Sequence, residues 1–163
     1  MNLPLKRPRT LLGDVLEVKM DGNSKRYLQY IGFDKSALGL GGDVVRIFKK
    51  TYKKESTPLL KEITEGEVDF YAHIHSVTKG IKEGLWSRVG SIKKDIGVEK
   101  PLFYQYSDNK WFLWEMDGKN YWEATKKEIM KSSANMGGVM PPKLVEERIK
   151  AGKYLIGDPT YIK

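Results

Sequence analysis

The stretch Glu67-Val68-Asp69-Phe70-Tyr71-Ala72-His73-Ile74-His75-Ser76-Val77 decides how this chain is read. Val68, Phe70, Ala72 and Ile74 alternate with Asp69, Tyr71, His73 and His75. A period of two over this length predicts a strand with one buried face and one polar face. The expected strand runs from Glu67 to Val77 and places both histidines on its polar side. The following Thr78–Gly97 reads as irregular or briefly helical, pinned by Ile81, Leu85, Trp86, Val89, Ile92 and Ile96.

Upstream, Gly13 to Met20 reads as a strand, and Asp21-Gly22-Asn23 is a strong turn signal. Arg26 to Asp34 returns as a second strand and Asp43 to Lys50 forms a third, which together predict an antiparallel meander. Gly39, Gly41 and Gly42 punctuate the loop between the last two. Pro58 to Ile63 suits a single helical turn with proline near its start.

Downstream, Leu102 to Tyr106 and Lys110 to Met116 flank Ser107-Asp108-Asn109. Their aromatic residues predict a hairpin with cross-strand ring pairs. Thr125 to Ser133 suits a helix, and Gly137 to Pro142 breaks the pattern. Pro142 to Ala151 is the strongest helix, with Gly152 placed as its C-terminal cap. Leu155 and Ile156 suit a last short strand. The expected architecture is α+β: one domain over residues 1–163, a mostly antiparallel twisted sheet, short helices on part of one face, and a C-terminal helix.

Composition narrows the function classes. No apolar run approaches the ~20 residues of a membrane span. The start (Met1 to Arg9) is basic but has no apolar segment behind it, so the expected compartment is the cytosol and the first nine residues an extended basic arm. The absence of cysteine excludes disulfides and thiol catalysis. A net charge of +8 favours an acidic partner: nucleic acid, anionic lipid or an acidic protein face.

Three constellations bear on chemistry. His73 and His75 are the only histidines in the chain. With Asp69 they share a strand face, so a metal-dependent or acid–base site is geometrically possible, but no second motif supplies further ligands. The alternative is two surface or half-buried histidines on a strand. Gly39-Leu40-Gly41-Gly42 leads into a strand and not a helix, which is the wrong context for a phosphate loop. Tyr27, Tyr30, Tyr52, Tyr104, Tyr106, Trp111 and Trp114 beside lysines could stack on bases, so a basic nucleic-acid-binding module is the second reading. No cofactor is expected, the metal-dependent alternative aside.

One set of segments resembles the immunity protein 26 family of bacterial polymorphic-toxin systems. It comprises Leu12-Gly13-Asp14-Val15-Leu16-Glu17-Val18, Asp43-Val44-Val45-Arg46-Ile47-Phe48, Asp69-Phe70-Tyr71-Ala72 and Gly84-Leu85-Trp86-Ser87-Arg88-Val89-Gly90. Leu16 stands where an aromatic is common, and Ser91 where the final turn carries asparagine. The resemblance implies a cytosolic, non-enzymatic protein that neutralises a cognate toxin domain by direct contact, as in contact-dependent inhibition. The basic charge then implies an acidic contact surface on the toxin, or binding away from its active site. The residues expected at such an interface, on polar-face or loop positions, are Tyr52, Lys53, Lys54, Tyr71, His73, His75 and Arg88.

Overall fold

The computed structural model describes residues 9–35, 41–118 and 121–152. The chain opens as expected. Strands β1 (Asp14–Lys19), β2 (Ser24–Asp34) and β3 (Gly42–Phe48) form an antiparallel meander, turning first at Asp21-Gly22-Asn23. A two-residue strand β4 (Tyr52–Lys53) pairs with the start of β2. Helix α1 (Leu60–Thr64) follows Pro58 and leads into β5 (Val68–Ile74), the strand centred on the histidine stretch. β5 is shorter than its apolar alternation suggests, because Ser76 turns the chain. Its hydroxyl accepts from the Lys79 N–H and caps α2 (Val77–Lys82).

The segment after α2 departs from the expectation of irregular chain. It forms β6 (Trp86–Ser91), antiparallel to β1. Only Trp86 points fully inward from this strand, and Ser87, Arg88 and Val89 are exposed. An edge strand with one anchor has no alternation to betray it.

β7 (Leu102–Ser107) and β8 (Lys110–Glu115) make the expected aromatic hairpin. Asp108 and Asn109 both have positive φ, 52° and 62°, the backbone that a two-residue hairpin turn of right-handed twist needs. β9 (Tyr121–Ala124) extends this sheet, and α3 (Lys126–Lys131) closes over it. Thr125 and Glu128 form a reciprocal capping box at the start of α3. Thr125→Ala is expected to lower stability by about 1 kcal/mol, measured as a shift of the urea midpoint with unchanged slope.

The stretch after α3, from Asn135 into the Gly137–Pro142 breaker, is also more ordered than its sequence suggests. It carries β10 (Asn135–Met136), parallel to β7, and β11 (Val139–Met140), parallel to β5. Helix α4 (Pro142–Ala151) ends at Gly152, which adopts φ 79° as its left-handed cap. The Leu155-Ile156 strand, residues 36–40 of the glycine loop and all of the N-terminal arm except Arg9 lie outside the described residues.

The protein is therefore α+β, with strand order β11-β5-β3-β2-β1-β6 in the larger sheet and β10-β7-β8-β9 in the smaller. One face of the larger sheet buries Leu16, Leu28, Ile47 and Phe70 against Val77 of α2 and Val145 and Ile149 of α4. Its other face is covered twice. Phe103, Trp114 and Met116 of the hairpin region pack on Ile31 and Val44, while Ile63 of α1 packs on Val15, Tyr27 and Phe48. No helix among the described residues is long and apolar enough to cross a membrane.

Candidate functional site

Burial on both faces of β5 changes the status of its histidines. The expectation of two imidazoles on a polar face holds for His75 alone, which is exposed just beyond the end of the strand. His73 is 2 % exposed, because the smaller sheet lies over that face. Its ring is 4.0 Å from that of Phe103 and stacks on Trp114.

The buried imidazole is held by a carboxylate from β2. Asp34 Oδ2 lies 2.7 Å from His73 Nε2 and accepts a hydrogen bond from Trp114 Nε1 at 3.0 Å. Asp34 Oδ1 accepts from the Asp117 N–H at 3.1 Å. An ionised carboxylate has no proton to give, so His73 Nε2 is the donor of this bond. His73 Nδ1 then faces the interior without a partner among the described residues. Burial pushes the Asp34 carboxyl up, but the three donors outweigh it and hold the group below its usual range.

Asp69 does not join the histidines. It pairs with Arg26 at 2.8 Å, a guanidinium that also donates to the carbonyls of Phe48 and Ile149. Asp69, His73 and His75 therefore have separate surroundings. Among the described residues no group of three or more His, Asp or Glu side chains is placed to hold a metal ion.

On the His73 side of the larger sheet, Gln29, Arg46 and Tyr71 stand opposite one another on β2, β3 and β5. Gln29 Oε1 accepts from both Nε and Nη2 of Arg46, at 2.9 and 2.7 Å. Gln29 Nε2 is fixed in turn by the carbonyls of Gly13 and Ile92. The Tyr71 hydroxyl donates to Glu99, and its pKa is raised by burial and by that carboxylate. Beside this row lies an open cleft of about 280 Å³ between α1, the start of β5 and the chain from Ile92 to Glu99.

The other expected interface residues are dispersed. Tyr52 is half-buried, edge-on to Tyr27, with Lys50 Nζ 4.7 Å from its ring centre. Lys53 and Lys54 are exposed beside it. Arg88 lies on β6 with Nη1 3.6 Å from the buried Asp14 carboxylate. In the sheet order β6 lies four strands from β5, so Arg88 and Tyr71 are not strand neighbours.

Sequence reading missed Asp34, Gln29, Arg46 and Glu99. Two of these carried a signal. Arg46 interrupts the apolar run Val44-Val45-Ile47-Phe48, and Gln29 interrupts Leu28-Tyr30-Ile31. A polar side chain within a run otherwise buried on both faces needs a built partner. Scans of protein-family models, curated proteins and solved structures found no match to this chain.

Proposed function

We propose that this chain is a cytosolic immunity protein that binds a cognate toxin domain and neutralises it by contact, without catalysis. The observation that carries this reading is where the four family-like segments fall. They supply β1, β3, β5 and β6 of one sheet, and among the described residues β6 pairs on one side only. An edge strand offers unpaired backbone groups to a partner. Beside it, Val89 and the 74 %-exposed Leu59 flank a shallow apolar groove. The net charge of +8 suits an acidic toxin face.

Co-expression with the toxin domain encoded by the adjacent reading frame tests the proposal. Growth is expected to be restored and a stoichiometric complex recovered. The association rate is expected to fall about tenfold or more between low and high salt. Killing that proceeds unchanged in the presence of this chain, with no complex formed, rejects it.

A second reading, a nucleic-acid-binding module, is favoured by Tyr106, Tyr121 and Trp122, which are exposed on the smaller sheet of this basic chain. Salt-dependent binding to a generic oligonucleotide at physiological ionic strength would favour it over toxin binding.

A further inference from the structure

The geometry points to a carboxylate-binding site in the cleft beside Arg46, anchored by the guanidinium. Arg46 is only 9 % exposed, yet among the described residues no carboxylate pairs with it. Its charge is met by a neutral amide oxygen on Gln29 and by the ring of Phe48, 5.4 Å away. A nearly buried cation whose direct contacts are all neutral gains from an anionic group brought against it. Arg46 is also pre-positioned. Nε and Nη2 are both occupied by Gln29, whose own amide is locked by two backbone carbonyls. Nη1 makes no hydrogen bond among the described residues, and the residue lines the cleft.

The rim selects the ligand's charge. Lys61, Lys94, Glu65, Asp95 and Glu99 line the same opening, with Lys61 3.9 Å from Glu65. With Arg46 the lining carries three cations and three carboxylates, so it is formally neutral. A phosphate dianion would meet those carboxylates, whereas a single carboxylate needs only the one guanidinium. The space admits a small free acid or one acidic side chain of a protein partner. This inference does not rest on the toxin-binding reading, because a free acid suffices for it.

Titration of the labelled protein with acetate, followed by NMR at the backbone N–H resonances of Gly66, Ile92 and Asp95, which line the cleft and persist in every variant, is the test. A saturable shift below about 100 mM acetate is expected, with none from acetamide at equal concentration. Arg46→Gln is expected to abolish saturation. Should that variant not fold, Glu99→Gln decides the question from the exposed rim: removing a neighbouring negative charge is expected to tighten acetate binding about threefold. Capped glutamate (acetyl and methylamide ends) separates the sources. Binding at least as tight as acetate marks an acidic side chain as the occupant, and exclusion of the capped residue marks a free acid. No saturation with acetate, an equal response to acetamide, saturation unchanged in Arg46→Gln, or no tightening in Glu99→Gln would overturn the assignment.

Discussion

Asp34→Ala is expected to destabilise the protein by about 3 kcal/mol or more in urea unfolding at pH 7. The substitution leaves three donors without an acceptor: His73 Nε2, Trp114 Nε1 and the Asp117 N–H. The first two are buried between the sheets, where solvent cannot replace the lost bonds. Asp34→Asn is expected to cost less, because its amide oxygen still accepts, although its NH₂ faces one of the remaining donors.

The same carboxylate sets a pH signature. Its pKa is lowered on folding, so its contribution is complete above the unfolded value of 3.8 and is lost as pH falls through the lower folded value. Wild-type stability should therefore drop more steeply below about pH 4 than that of Asp34→Asn. Equal slopes, or an Asp34→Ala cost under about 1 kcal/mol, would mean that the network does not join the sheets as described.

Gly80→Ala is expected to lower stability by about 2 kcal/mol, against the usual preference of a helix for alanine. Gly80 lies within α2, where the exchange normally gains about 1 kcal/mol. Here a Cβ would stand 2.1 Å from Cζ2 and 2.2 Å from Cε2 of Trp86, far inside contact distance. The indole cannot retreat freely, since its Nε1 donates to the Val77 carbonyl at 3.0 Å and its ring is part of the core. Thermal unfolding of single and double variants checks this. In a Trp86→Leu background the sign should reverse, because the obstructing ring is gone and only the helix preference remains. A stabilising Gly80→Ala in the wild-type background would contradict the close docking of α2 on β6.

What could be read in advance followed the strength of local signals. The meander, the aromatic hairpin and α4 each carry their own punctuation: Asp21-Gly22-Asn23, Asp108-Asn109, and Pro142 with Gly152. β6, β10 and β11 carry none, because strands of one inward residue or of two residues in all are specified by the partner they meet. The histidine stretch shows the same limit more sharply. Its alternation gave the strand correctly, but alternation cannot tell a solvent-facing polar row from one covered by a second sheet. His73 is buried because Phe103 and Trp114 arrive from about thirty to forty residues away in sequence and Asp34 supplies its acceptor. The Gln29–Arg46 pair was hidden for a related reason. Two polar residues 17 positions apart become adjacent only once the register of β2 on β3 is known.

The six residues from Asn135 to Met140 touch both sheets at once. Asn135 Oδ1 accepts from the Tyr71 N–H while its Nδ2 donates to the Leu102 carbonyl; β10 then lies on β7 and β11 on β5. During synthesis the meander and the aromatic hairpin leave the ribosome well before this clasp does. Until residue 140 emerges, the outer backbone of β5 stays open to passing chains. A nascent polypeptide stalled short of that point would present a half-finished sheet to chaperones, its two sheets held by the ring packing and the Asp34 hydrogen bonds without the clasp.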